Sequence, residues 1–276
     1  MNTQSAGNNQ TELDIYNKNE SIHEVAEYFN IPYGTAWNRL RKQGRVSKKK
    51  KPVYSNTLNK DFFTIIDNEA KAYFAGLIKA DGYIDQSRNR LALRLQETDD
   101  LLLKRFCDAV NLPIKRINYL KRTKDSHYYS EGRKDCAEVA ITNRRFTSNI
   151  MDVKSESFLG KIPDYLALPF IRGYFDGDGC INYKNINKQQ YQMNIMGNPS
   201  DDHMLQYILK YFPNLNLYTD KRSDLPLLAS QNKDTIIDFA SVYKNALVYL
   251  PRKKEKFDLI LFKNLVSTST TTRETT

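Results

Sequence analysis

Two aspartates, Asp81 and Asp178, occupy the same setting twice. Each closes an apolar run and is followed at once by Gly, in residues 74–82 (FAGLIKADG) and 171–179 (IRGYFDGDG). Gly76 with Ala80, and Gly173 with Gly177, lie four apart, so a helix through either run carries a stripe without bulky side chains. Two such stripes let two helix backbones pack almost in contact. The glycine after each acid, Gly82 and Gly179, predicts a left-handed C-terminal cap. A carboxylate at that end meets the negative pole of the helix, which disfavours it by roughly 0.3–1 kcal/mol. Closely packed parallel helices also bring the two acids together to repel each other. Positive charge is therefore required. A divalent cation shared by the two carboxylates and an incoming phosphate supplies it; hard oxygen donors with open positions suit Mg²⁺, or another divalent ion such as Mn²⁺.

Other chemistries find little support. The three cysteines, Cys107, Cys136 and Cys180, are widely spaced with no C-x-x-C pair, which argues against a disulfide framework or a structural zinc site. The three histidines, His23, His127 and His203, are too scattered for a metal cluster or a Ser-His-Asp arrangement.

The two segments resemble the paired motifs of LAGLIDADG homing endonucleases, in the form in which one chain carries both halves. In the second copy Ile162, Pro163, Pro169, Phe170 and the run RGYFDGDG all fit, and FAGLIKADG fits in the first. The resemblance implies that the last acid of each motif, Asp81 and Asp178, is the catalytic metal ligand. The earlier acidic place falls on Lys79 and Asp176, and the Lys79 departure leaves the metal ligands intact. Also implied is a polar or basic shell that orders water, for which Gln96 and Arg144 or Arg145 are candidates in the first half and Lys233 in the second. Cleavage of both strands with short 3′-extended ends follows from the same resemblance.

Bulk properties agree with a polyanionic partner. The 276 residues are 40% apolar, enough for a proper core, with a net charge of +10 and a pI near 9.3. No apolar run approaches the ~20 residues needed to span a bilayer, and the polar start shows no signal-peptide pattern. The expected location is the cytoplasm of a bacterial or phage-infected cell, or an organellar matrix.

The elements that must position the acids are legible along the chain. Residues 1–20 are polar and read as a disordered lead. Residues 21–45 read as a helix-turn-helix: Ser21 and Glu24 form a capping box, Ile22, Val25, Ala26 and Phe29 make an apolar face, and a break at 30–34 precedes a recognition helix over 33–43. Asn38, Arg39, Arg41 and Lys42 on that helix are the DNA-contact candidates. Residues 46–60 form a basic linker. Residues 61–155 and 156–266 are two repeats, each reading helix, two strands, helix, two strands, helix, with Thr98 and Ser200 as matching N-caps. A pseudo-two-fold axis between the motif helices follows. Residues 267–276 are low in complexity and read as disordered.

The predicted fold class is α+β, a duplicated αββαββα core with two antiparallel sheets plus the small N-terminal unit. Helices cover one face of each sheet and the other lies along double-stranded DNA, where alternate side chains point to the bases. The readers are Arg88, Arg90, Arg94 and Gln96 in the first half and Lys184, Gln190, Gln192 and Asn194 in the second. Lys121, Arg122, Lys221 and Arg222 add charge, and Lys253, Lys254 and Lys256 near the end contact the DNA backbone. The expected protein is thus a monomer acting as a pseudo-dimer on a long asymmetric site, with no membrane partner. A non-cleaving DNA-binding regulator and an RNA-splicing maturase on the same scaffold are the rival readings.

Overall fold

The computed structural model describes residues 22–43, 57–121, 134–186, 188–197 and 202–271. The chain divides into two compact units, Met1–Asn56 and Thr57–Thr276. In the first, α1 (Ile22–Tyr28) and α2 (Tyr33–Lys42) meet through a small core of Val25, Ala26, Ala36 and Leu40, with Ile22, Phe29 and Ile31 packed against it. Asn30 turns the chain between them in the left-handed region, φ 49°. Ser21 of the expected capping box, and most of the expected linker, lie outside the described residues.

The second unit contains one run of elements twice. The first run is α3 (Glu69–Asp81), β1 (Gly82–Asp85), β2 (Arg90–Gln96), α4 (Asp100–Ala109), β3 (Ile117–Leu120), β4 (Cys136–Thr142) and α5 (Arg144–Ser148). The second is α6 (Ala167–Asp178), β5 (Gly179–Asn185), β6 (Gln190–Met196), α7 (Asp202–Tyr211), β7 (Asn216–Thr219), β8 (Pro226–Ser230) and α8 (Lys233–Phe239). A last helix, α9 (Pro251–Thr271), follows. The sheets are four-stranded, antiparallel and of equivalent order, β1-β2-β4-β3 and β5-β6-β8-β7.

Strand alternation separates the faces. Leu91, Leu93 and Leu95 of β2, Ala137, Val139 and Ile141 of β4, and Tyr191, Met193 and Ile195 of β6 are buried in the core. Arg94 and Gln96 between them are exposed, and Gln192 and Asn194 partly so. Matching left-handed residues, Asn89 (φ 49°) and Gln189 (φ 50°), turn the two hairpins. Matching asparagines cap the closing helices: Asn143 Oδ1 accepts from Phe146 N at 3.0 Å, and Asn232 Oδ1 from Thr235 N at 3.0 Å.

Three local expectations need correction. Gly82 and Gly179 are extended (φ −73°, ψ 136° and φ −90°, ψ 157°), because each strand starts at once and no left-handed turn intervenes. What these positions exclude is a side chain. A Cβ on Gly82 would lie 2.6 Å from Ile78 Cγ2, and one on Gly179 would fall on the Phe175 ring. Thr98 is no N-cap, since a 3₁₀ turn over Glu97–Asp99 leads into α4 and makes Asp99 the preceding residue; Ser200 lies outside the described residues. The tail expected to be disordered is helical as far as Thr271, as a continuation of α9. Among the described residues no helix is long and apolar enough to cross a membrane.

Candidate active site

The site begins with the seam between α3 and α6. Asn68 caps α3 by accepting from Lys71 N at 3.1 Å, and Ala72 to Lys79 are buried on every side, as suits a helix enclosed by its neighbours. A Cβ built on Gly76 would fall on the Phe170 carbonyl and 2.9 Å from Tyr174 N. One on Gly173 would fall on the Tyr73 carbonyl and 2.9 Å from Leu77 N. Each contact mirrors the other, which is the signature of two elements meeting across a two-fold axis. The helices run parallel and end together: the place of a Cβ on Gly177 is 3.1 Å from Asp81 Oδ2, one residue from Asp178. Gly177 thus leaves room for the Asp81 carboxylate.

Much of the positive charge at these helix ends comes from the chain itself. The Lys154 ammonium donates to the carbonyls of Lys79 and, at 3.1 Å, Ala80. The Lys253 ammonium, almost fully buried, donates to the carbonyls of Phe175 (2.6 Å) and Asp176 (2.7 Å). Each lysine donates to carbonyls of the last turn, where intrahelical donors run out, although Phe175 O also accepts from Gly179 N. Burial nevertheless dominates at Asp81: although the residue reaches solvent, desolvation raises its pKa despite the opposing Lys253, Lys154 and Arg252 charges. Burial also pulls Lys253 down to about 8, with Asp176 pulling the other way.

The earlier place of each motif positions these lysines by opposite chemistry. Buried Lys79 donates to the carbonyls of Val153 and Lys154, both at 3.2 Å, and approaches His203 Nε2 at 3.5 Å. Buried Asp176 accepts from Tyr73 Oη (2.7 Å), Tyr243 Oη (2.5 Å) and Leu250 N (2.7 Å). A donor in one half and an acceptor in the other each hold the segment that delivers a lysine. Arg172, 2% exposed, adds a clamp through Val248 O (2.9 Å), Val242 O (2.5 Å) and Glu69 Oε1 (2.5 Å).

The structure brings some expected residues to this junction and removes others. Gln96 ends β2, the strand whose Leu93 faces Gly82, and is exposed at that end of the sheet. Arg144 is corrected. β4 is antiparallel to β2 and finishes at Thr142 opposite Arg90, itself opposite Asp85, so Arg144 lies at the far end of the first sheet. β8 runs away from the acids and finishes at Ser230 opposite Met193, midway along β6, and Lys233 opens α8 after it. Arg144 is thus remote from Asp81, and Arg145 is bound to Asp61 at 2.6 and 2.8 Å. Lys253 is corrected from DNA-backbone contact to the helix cap above. Lys254 pairs with Asp258 at 2.6 Å, and Lys256 donates to Ile181 O at 2.7 Å.

On the outer sheet faces, Arg90 and Arg94 both pair with Glu138. Arg88 sits exposed in the β1–β2 turn, and Lys121 pairs with Glu97 and Asp135. Arg122 lies outside the described residues. In the second sheet Gln190 and Lys184 are exposed, while Gln192, Asn194, Asn216, Tyr218, Lys221 and Arg222 line a trough of ≈ 610 Å³. In the N-terminal unit Asn38, Arg39, Arg41 and Lys42 are exposed on α2, with the Arg41 guanidinium 5.2 Å from the Trp37 ring centroid.

Sequence reasoning missed Lys154. The signal was the repeat itself, because Lys154 follows the closing helix of the first half as Lys253 follows that of the second. Arg252, held by Asp99 at 3.1 Å, was also missed. Among the described residues no group of three or more His, Cys, Asp or Glu side chains gathers to hold a metal. The two acids fit a hard cation as donors only if further ligands arrive with a substrate or as water.

No family model and no curated protein matches the sequence. Solved structures do match the fold. One is the LAGLIDADG homing endonuclease I-GzeII in complex with its DNA target, at 10% identity, covering 74% of this chain and 92% of that one, with a TM-score of 0.50. Another is the meganuclease I-SmaMI bound to uncleaveable DNA, at 10% identity, covering 72% and 92%, with a TM-score of 0.50. I-SmaMI bound to an uncleaved DNA target with calcium ions aligns at 10% identity over 74% and 93%, with a TM-score of 0.47. The fold of this chain is therefore that of the LAGLIDADG meganucleases.

Proposed function

We propose that this chain is a LAGLIDADG homing endonuclease: a site-specific DNA endonuclease that makes a divalent-metal-dependent double-strand break in a long asymmetric target. One observation carries the reading. Asp81 and Asp178 end two parallel helices side by side, at the junction of two sheets whose outer faces are polar. A phosphodiester is cut by polarising the phosphorus centre, activating water and stabilising the leaving oxygen. Asp81 and Asp178 would hold the Mg²⁺ or Mn²⁺ that supplies this chemistry. Lys154 and Lys253 keep the helix ends from repelling a phosphate, and the raised pKa of Asp81 marks a carboxylate that gains from a cation beside it. The sheets hold the duplex, and Gln96, at the end of β2, would order water at the first acid.

The test uses the DNA that flanks the gene, joined as if the gene were absent, in a plasmid. Wild-type protein with Mg²⁺ should linearise it, and Asp81→Asn and Asp178→Asn proteins should bind it without doing so. Specific binding by wild type with no linearisation in Mg²⁺ or Mn²⁺ would replace this reading with the DNA-binding regulator. Preference for the transcript over the duplex would replace it with the maturase.

A further inference from the structure

We infer that Glu138 is a positioning residue that aims Arg94 and Arg90 at guanine, making the first half-site guanine-dependent in a way the second is not; this rests on the DNA reading above. Glu138 stands on the outer face of the first sheet with its side chain only 11% exposed, between two arginines whose side chains are 33% and 45% exposed. Its Oε1 accepts from Arg90 Nη2 at 3.0 Å, and its Oε2 accepts from Arg94 Nε at 3.0 Å and Nη2 at 2.7 Å. Arg94 is opposite Glu138 in the register, and Arg90 is four residues along the same strand and face.

A guanidinium carries five N–H groups in a rigid fork. Arg94 spends Nε–H and one Nη2–H on Glu138, which leaves Nη1 and the outer edge of Nη2 as a parallel donor pair. That pair matches the O6 and N7 acceptors of guanine and finds no such match on the other bases. Because both forks converge on one carboxylate, their tips are held within about two base-pair steps of roughly 3.4 Å. A guanidinium locked before binding also loses less freedom when it engages a base.

The second sheet lacks this device. Leu93 opposite Gly82 answers Ile195 opposite Gly179, so the residues in the places of Arg90, Arg94 and Glu138 are Gln192, Met196 and Leu227, and Met196 is opposite Leu227 in the register. Asn194 Oδ1 is buried with no hydrogen-bond partner among the described residues, and it lines the trough of that face. Amides suit adenine, so the asymmetry between the half-sites is built into the two sheets.

The test is selection of a randomised double-stranded DNA library by the full chain without added divalent ion, followed by sequencing of the bound fraction. Wild type should enrich a site with two guanines close together in one half. Glu138→Gln keeps the shape but weakens the charge-assisted hold, and should lower the preference at those two positions about tenfold while preferences in the other half persist. Arg94→Gln, which leaves the largely buried carboxylate in place, should remove the preference at one of the two. An unchanged motif in either variant, or an even loss across all positions, would overturn the inference alone. No enriched motif with wild type would overturn the DNA reading and the inference with it.

Discussion

Asp81 and Lys253 titrate in opposite directions, and both shifts have testable consequences. Burial raises the folded pKa of Asp81 above its unfolded value of 3.8, so the ionised form is the disfavoured one in the native protein. Its cost to stability is present above the folded pKa and absent below the unfolded one. Asp81→Asn is therefore expected to abolish cleavage while raising the melting temperature at neutral pH, an advantage that should shrink in acid. A variant that melts lower than wild type at pH 7 would show that the carboxylate is stabilised where it stands. For Lys253 the folded value of about 8 lies below the unfolded 10.5. Its charged form costs stability below about pH 8, and that cost is relieved as pH rises towards 10.5. Above about pH 8 the helix end loses its positive cap, so the cleavage rate should fall there. Lys253→Met, neutral throughout, should be slow at every pH and lack that limb; a wild-type profile flat from pH 7 to 10 would remove Lys253 from the charge balance of the site.

At the scale of elements, the α3–α6 seam is the part with least tolerance. Gly173 meets the backbone of Tyr73, and a backbone cannot step aside as a flexible side chain does. Gly173→Val should cost roughly 1–3 kcal/mol or more by overpacking, and it should move both carboxylates. Melting temperature and nicking of both strands should drop together. Gly160→Ala is the matched control, because a Cβ there meets nothing within 4 Å and both readouts should stay put. Normal melting in Gly173→Val would mean that the helices do not touch at this residue. The strands illustrate a different point. An antiparallel sheet alternates which end of a strand lies near a given spot, so β2 finishes at the acids while β4 starts there and finishes away from them. The same alternation places the start of β8 near the acids, where Gly197 N donates to Pro226 O at 2.8 Å.

For the whole molecule, the separate core of the N-terminal unit predicts that its removal is tolerated. Residues 57–276 should express, melt cooperatively and cut the same site, with weaker binding and a footprint shorter on one flank. Equal footprints with and without residues 1–56 would rule out DNA contact by α2. Within the larger unit, contacts from the second motif helix and from the end of the chain tie the two halves together. Arg252 holds Asp99, Arg172 holds Glu69, and Arg105 Nη1 reaches Tyr249 O at 3.5 Å.

The amino-acid sequence by itself determined the duplicated elements, the ends of the motif helices, the glycine seam and the two acids. Each of these is written in short-range pattern: alternation marks a strand, and a small residue every fourth place marks a seam. The structure added that Asn143 and Asn232 cap the closing helices in matching places. Only the tertiary structure decided what surrounds the acids. Lys154 and Lys253 reach the helix ends from segments more than seventy positions away, and buried Lys79 and Asp176 aim them. Arg90 and Arg94 find Glu138 from a strand more than forty positions away. Arg144 follows its strand to the far end of the first sheet. The physical reason is common to all of them: electrostatic and hydrogen-bond partners are chosen by distance in space, and distance in space is fixed by strand direction and helix packing rather than by position along the chain.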